Sequence, residues 1–302
     1  MGTLKWDEKD IPDQTGKIVI VTGASSGIGF EAAKALANKH AEVIIAVRNP
    51  EKGESAVRTI TAQNKTADVK VMQFDLADLQ SVKTFAGNFN KKYSSLNILI
   101  NNAGVMVPPY SKTADGFELQ MGTNHFGHFA LTGQLFNLLK STYGARIVTV
   151  SSLQHKFGRI NFDDLNWEKR KYSPRKAYAD SKLANLYFTH ELDKKIKENN
   201  LDVTAVSAHP GVASTNLTRT SAVFIKFSSK LIAQSPRMGA LPVLRAAVDA
   251  KAAGGEYFGP IALMMGYPVI NNPGKLSKDE NIAKKLWEVS EKLTGVKFDF
   301  SR

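Results

Sequence analysis

Lys17 to Leu36 reads KIVIVTGASSGIGFEAAKAL, and the rest of the chain repeats the plan of this stretch. Lys17 to Thr22 is a continuous β-branched run bounded by Gly16 and Gly23, the pattern of a strand buried on both faces. From Phe30 onward the apolar residues fall at helical spacing. Strand, glycine turn and helix in that order suit a dinucleotide pyrophosphate. Glycines allow positive φ and close backbone approach, and the N–H groups at the helix start face the anion. Gly23, Ser25, Ser26, Gly27, Ile28 and Gly29 form that turn. Its spacing, G-x-x-x-G-x-G, is not the commoner G-x-G-x-x-G, and a tight βα turn with nothing bound has the same pattern.

Outward from this unit the alternation continues. Glu42 to Val47 is a second strand, and it ends in Val47-Arg48-Asn49 with no acidic side chain to accept a ribose 2′-OH. Arg48 would instead suit a 2′-phosphate, or stand as an ordinary exposed arginine. After a helix over 50–63, Val69 to Phe74 is a third strand ending in Asp75-Leu76. Asp75 either bonds an adenine amino group or caps the helix that follows from Asp78. Leu96 to Ile100 leads into Asn101-Asn102-Ala103-Gly104, small residues and amides that let a ligand or another backbone approach. Asp115 to Lys140 reads as one long helix interrupted by Gly122 and apolar almost all round, which implies burial on several sides. His125 and His128 within it have metal-like spacing but no third ligand, so they read as packed or hydrogen-bonded histidines, and no metal is expected.

Arg146 to Ser152 is a fifth strand, and the long interval from Ser152 to Tyr178 reads as a functional loop. Leu201 to Ser207 is a sixth strand running into His209-Pro210-Gly211-Val212. The mixed stretch Ser214 to Gln234, which contains Thr215 and Phe224, is a candidate lid. Glu256 to Phe258 is a short seventh strand, and Lys278 to Leu293 a closing helix. The expectation is an α/β fold: a single Rossmann-like domain over 1–302, built on a doubly wound, mostly parallel seven-stranded sheet with helices on both faces.

Composition narrows the chemistry. The chain has 302 residues, 43% hydrophobic and 23% charged, enough to bury a large core. It contains no cysteine, which excludes disulfides, thiolate metal sites and cysteine nucleophiles. The net charge of +12 raises nucleic acid as a partner. Lys and Arg are interleaved with Asp and Glu throughout, however, so a solvated basic face is expected and no nucleic-acid partner. Met1 to Gln14 lacks an apolar signal region, and no apolar run reaches the ~20 residues of a bilayer span, so a cytoplasmic protein is expected.

Tyr178-Ala179-Asp180-Ser181-Lys182 opens a helical apolar run and puts a phenol and an ammonium four residues apart on one face. A cation beside a phenol, whose free pKa is about 10, favours the phenolate. Taken alone, the pair is as well read as a core tyrosine beside a snorkelling lysine.

The set T-G-x-x-x-G-I-G at Thr22 to Gly29, N-N-A-G at Asn101 to Gly104, Asn124, Ser152 and Y-x-x-x-K at Tyr178 to Lys182 closely resembles the short-chain dehydrogenase/reductase family. The stretches around Gly116–Gln120, Thr123–Phe129 and His209–Val212, with the long Ser-to-Tyr loop, resemble its retinol dehydrogenase-like members. The resemblance implies Tyr178 as general acid/base, Lys182 lowering its pKa and holding the nicotinamide ribose, Ser152 on the reacting oxygen and Asn124 positioning a water. It also implies Gly23, Ser25, Ser26, Gly27, Ile28 and Gly29 on the phosphates, Asp75 and Leu76 on adenine, Asn102, Ala103 and Gly104 by the ribose, and Pro210, Gly211, Val212 and Thr215 at the carboxamide. Met106, Val107, Gln154, Tyr172 and Phe224 would line a mostly apolar substrate pocket. With Arg48, the expectation is an NADP(H)-dependent oxidoreductase, with NADP(H) preferred over NAD(H), acting on a lipophilic alcohol, aldehyde or ketone. Pairing into a homodimer or homotetramer would use the helices near Asn124 and Tyr178. A double-bond reductase like protochlorophyllide reductase, or a dinucleotide-binding sensor without turnover, are the alternatives.

Overall fold

The computed structural model describes residues 5–212 and 234–301. Its centre is one sheet of eight strands: β1 (Ile18–Thr22), β2 (Glu42–Val47), β3 (Asp68–Gln73), β4 (Ile98–Asn101), β5 (Ala145–Val150), β6 (Val203–Ala208), β7 (Tyr257–Pro260) and β8 (Pro268–Ile270). Their spatial order is β3-β2-β1-β4-β5-β6-β7-β8, and all pairings are parallel except β7 with β8. The order reverses between β1 and β4, so a crevice opens at the carboxyl ends of those two strands. Seven strands were expected. The eighth is three residues long and begins two residues after Gly266, too short to show a period-two pattern, and Pro268 sits at its first position on the sheet edge, where no ladder donor is needed.

The β-branched runs are explained by burial on two sides. Val19, Val21, Val43, Ile45 and Val148 face α1 (Gly27–Ala37), α2 (Pro50–Gln63) and α6 (Pro236–Val248), whereas Ile20, Ile44, Leu99 and Ile147 face the opposite layer. That second layer holds α3 (Leu79–Lys92), α4 (residues 119–141) and α5 (Pro174–Glu198). Each such side chain contributes roughly 1.5–3 kcal/mol on burial. The long helix expected from Asp115 starts later. Residues 112–118 close a small hairpin through the Lys112–Glu118 bridge, with Gly116 at φ +83°, and the Glu118 carboxylate caps the helix by accepting from Met121 N–H. Helix α4 then runs through Leu119–Met121, a π-turn at Gly122–Phe126 and a regular segment Gly127–Ser141. In the π-turn the Gly127 N–H reaches back five residues to Gly122 O.

Helix α7 (Glu280–Thr294) ends at Gly295 in the left-handed region, and the tail beyond it lies across α4 and α5. Trp287 packs edge-on to Phe129 at 5.0 Å, Phe298 lies 4.6 Å from Trp287, and Phe300 4.9 Å from Phe136. Aromatic pairs of this kind add about 0.5–1.5 kcal/mol each beyond their buried area. Phe129 and Phe136 of α4 and Phe188 of α5 are thus packed against this chain's own C-terminal segment. Among the described residues no helix is long and apolar enough to cross a membrane.

Candidate active site

The crevice between β1 and β4 is floored by a hydroxyl. Thr22 Oγ1 accepts from the N–H groups of Asn102 and Ala103, both at 2.9 Å, while Asn102 Nδ2 donates to Thr22 O at 2.7 Å. Two glycines are required here. Gly23 has φ +68° and a Cβ on it would lie 2.9 Å from Ala103, and a Cβ on Gly29 would lie 2.5 Å from Asn102 Nδ2. Ser26 is the N-cap of α1 but makes no side-chain capping bond, which leaves the first N–H groups of that helix available to an anion. Ser25, Gly27 and Ile28 are only partly covered on the same turn.

At the end of β2, Arg48 is exposed and has no ion-pair partner among the described residues. It borders a groove of about 730 Å³ with Gln73, Phe74 and Asp75. The two readings of Asp75 separate. Asp78 is the N-cap of α3, accepting from Gln80 and Ser81 N–H, whereas Asp75 accepts from Ala77 N–H at 2.9 Å and lines the groove. Leu76 is buried, and its carbonyl would meet any Cβ placed on Gly127.

Around the carboxyl end of β5 the polar side chains converge. The Ser152 hydroxyl favours the ionised form of the Tyr178 phenol. The Ser152 carbonyl accepts from His155 Nδ1 at 2.6 Å. Lys182 Nζ donates to Val150 O at 3.0 Å, and the Lys182 carbonyl accepts from Ser151 Oγ at 2.7 Å. Asn124 Oδ1 accepts from Val105 N–H at 2.8 Å, and its amide donates to Val105 O at 3.0 Å and Ser181 Oγ at 2.9 Å, so both amide hydrogens are spent. Gly104 fits between Asn124 Oδ1 and Lys182 Nζ, where a Cβ would come within 2.9 Å of the former. Tyr178 and Lys182 are buried at 8% and 4% exposure, yet border the crevice.

The model of the short chain dehydrogenase family matches residues 17–223. The chain belongs to the short-chain dehydrogenase/reductase family. Retinol dehydrogenase 11 of Mus musculus is 43% identical over 290 residues, covering 94% of this chain and 88% of the relative. A crystal structure of an uncharacterised protein from Mycobacterium Paratuberculosis superposes with a TM-score of 0.84 at 40% identity, covering 98% of this chain and 99% of that one. A short chain dehydrogenase of Shigella flexneri, solved in complex with NADP, has a TM-score of 0.65 at 25% identity and covers 82% of this chain and 98% of its own. Within the family this dehydrogenase/reductase stands with the retinol dehydrogenase-like members.

Electrostatics differ in one respect from the expectation for Lys182. Burial raises the Tyr178 pKa to about 12, only partly offset by the Ser152 hydroxyl, and burial lowers that of Lys182 to about 8. The ammonium lies 5.8 Å from the phenol ring centroid and spends a bond on Val150 O, so in the protein alone it does not depress the phenol. Desolvation outweighs the charge.

The Ser-to-Tyr loop is held by groups that the sequence pattern did not single out. Arg170 stacks 3.5 Å from the Trp167 ring centroid and reaches Asp164 at 3.3 Å and Asp180 at 3.6 Å, while Asp180 also accepts from Arg159 N–H at 2.8 Å. Burial raises the Asp180 carboxyl to about 6 from an ordinary 3.8. An acid with a raised folded pKa favours the folded state in its protonated form. Its contribution therefore falls as pH rises between about 4 and 6, then levels off. Asp180→Asn should flatten that part of the stability curve, read as urea midpoints at about pH 4 and pH 7, and an unchanged slope would count against the burial account.

Residues expected around a substrate are partly committed elsewhere. Tyr172 donates its hydroxyl to Glu118 at 2.8 Å and accepts from Gln120 Nε2 at 3.0 Å, which leaves its ring and not its hydroxyl for a ligand. Gln120 also accepts from Val107 N–H at 2.8 Å, which holds Val107 at φ +57°, a strained state for a β-branched residue. Met106 is half-buried beside it, and Gln154 is exposed. Gly211, at φ +66°, sits in the turn Pro210–Val212. That turn is tied by Val212 N–H to Met264 O and by Gln234 Nε2 to Pro210 O at 2.7 Å. Thr215 and Phe224 lie outside the described residues, as does all of the candidate lid except Gln234. His125 bonds Ser290 Oγ at 2.9 Å, and His128 bonds Thr22 and Asn124. Among the described residues no cluster could hold a metal ion.

Proposed function

We propose that this oxidoreductase transfers a hydride between NADP(H) and a lipophilic alcohol or carbonyl compound, with Tyr178 as general acid/base. The observation that carries it is the buried Tyr178 and Lys182 on one helix, with the half-buried Ser152 hydroxyl acting on the Tyr178 phenol, beside a glycine-lined floor with an uncapped helix start. The nicotinamide supplies the hydride when bound. Tyr178 gives its proton to the developing alkoxide, Ser152 donates to the same oxygen, and Lys182 holds ribose hydroxyls near Tyr178. The N–H groups of Ser25 to Gly29 meet the phosphates, Arg48 the 2′-phosphate, Asp75 and Leu76 the adenine, Asn102 to Gly104 the ribose, and Pro210 to Val212 with Thr215 the carboxamide. The names of the relatives, a retinol dehydrogenase and a structure complexed with NADP, support both the substrate class and the cofactor. We read the whole chain as one catalytic domain.

The substrate side is mostly apolar at Met106, Val107 and the Tyr172 ring, so hydrocarbon should be preferred over charge. In a homologous series of aldehydes assayed with NADPH, efficiency should rise by up to ~0.8 kcal/mol per buried methylene until the pocket fills. A flat series, or faster turnover of small keto acids, would show the pocket to be polar.

A further inference from the structure

His128 is enclosed on α4, one turn beyond Asn124, and nothing in the proposed reaction employs it. Its ring nitrogens meet two different partners: Nδ1 lies 3.0 Å from the Asn124 carbonyl and Nε2 2.9 Å from Thr22 Oγ1. Counting protons fixes the direction of both contacts. A carbonyl can only accept, so Nδ1 carries a hydrogen. Thr22 Oγ1 already accepts from Asn102 and Ala103 N–H, which fills its lone pairs, so it must donate. His128 Nε2 at 2.9 Å is a better acceptor position than Ile100 O at 3.3 Å. The ring is therefore the neutral Nδ1–H tautomer, donor on one edge and acceptor on the other. Burial supports this by lowering its pKa to about 3, and the Lys182 charge acts in the same direction.

We propose that His128 is a positioning residue: a fixed neutral bridge that ties the dinucleotide floor to the Asn124 carbonyl and, through Asn124, to the helix carrying Tyr178 and Lys182. From the floor, the bonds run Thr22 Oγ1 to Nε2, Nδ1 to Asn124 O, Asn124 Nδ2 to Ser181 Oγ at 2.9 Å and Ser181 Oγ to Tyr178 O at 2.8 Å. Because both amide hydrogens of Asn124 are spent, its carbonyl in the π-turn is the group left to orient a water, and His128 sets where that carbonyl points. The positioning role rests on the oxidoreductase reading above, whereas the bridge itself does not.

Two measurements separate these. Long-range nitrogen–proton NMR of the free protein should show the His128 signals, identified by their loss in His128→Gln, as the Nδ1–H tautomer, still neutral well below the usual histidine range. An Nε2–H pattern for His128, or its titration near the ordinary value, overturns the bridge. In steady-state assays with NADPH and an aldehyde, His128→Asn keeps an N–H near the Nδ1 position, His128→Gln reaches Thr22 but releases Asn124, and His128→Phe keeps neither. The Gln and Phe variants should lose about tenfold to a hundredfold in kcat, as small misplacements of reacting groups do. The Asn variant should return to within a few-fold of the parent, with NADPH Kd from fluorescence little changed in all three. Equal loss in all three variants, or loss in proportion to thermal destabilisation, overturns the positioning role. Failure of the unmutated protein to reduce any aldehyde would instead count against the oxidoreductase reading, and the NMR result then decides the bridge.

Discussion

Tyr178→Phe should leave NADPH binding intact while turnover falls by a factor on the order of a hundred to ten thousand. The ring fills the same buried space, so packing on α5 and the thermal midpoint should be preserved. What disappears is the hydroxyl on which Ser152 acts. With the phenol pushed up to about 12 by burial, Tyr178 holds its proton at neutral pH, which suits the donor role in carbonyl reduction. Single-turnover measurements with saturating NADPH would separate the chemical step from binding. If the Phe variant turned over at near-parental rate, Tyr178 would be an ordinary core tyrosine and another acid would have to be found.

Arg48→Asp should invert cofactor choice. The parent side chain stands exposed at the end of β2 beside the groove that includes Asp75, and makes no ion pair among the described residues. A charge-assisted contact to a 2′-phosphate is worth roughly 1.5 to 3 kcal/mol, about tenfold to a hundredfold in affinity. The aspartate removes that contact, repels the phosphate, and accepts from a 2′-OH instead. Comparing kcat/KM for NADPH and NADH in both proteins checks this. Equal efficiency with the two cofactors in the unmutated protein would sink the preference.

The parts of this fold that were legible in the sequence are those written in local pattern. The strand from Lys17, the glycine turn and the helical run from Phe30 could be read because a doubly buried strand and a turn needing positive φ each restrict residue type. Strand β8 was invisible, since three residues on an antiparallel edge carry no periodicity. Asp75 and Asp78 could not be told apart as caps without knowing where α3 begins, and the start of α4 was misplaced because Glu118 caps it from a hairpin that only tertiary contact closes. In the site, the surroundings of each side chain were not legible. Spacing put Lys182 on the helix face of Tyr178, but its bond to Val150 O depends on a strand distant in sequence. The same holds for Tyr172, whose hydroxyl is claimed by Glu118 and Gln120.

The aromatic seam between α4, α5 and the segment after α7 has a bearing on how the chain matures during synthesis. Phe129 and Phe136 leave the ribosome long before Trp287, Phe298 and Phe300, which they pack against. At ordinary elongation rates the delay is roughly ten to thirty seconds. Throughout that interval the greasy flank of the helix bearing Asn124 lacks this part of its cover. The nascent polypeptide would be a natural client for a holdase chaperone, to be released when residues 287–300 emerge and close the seam.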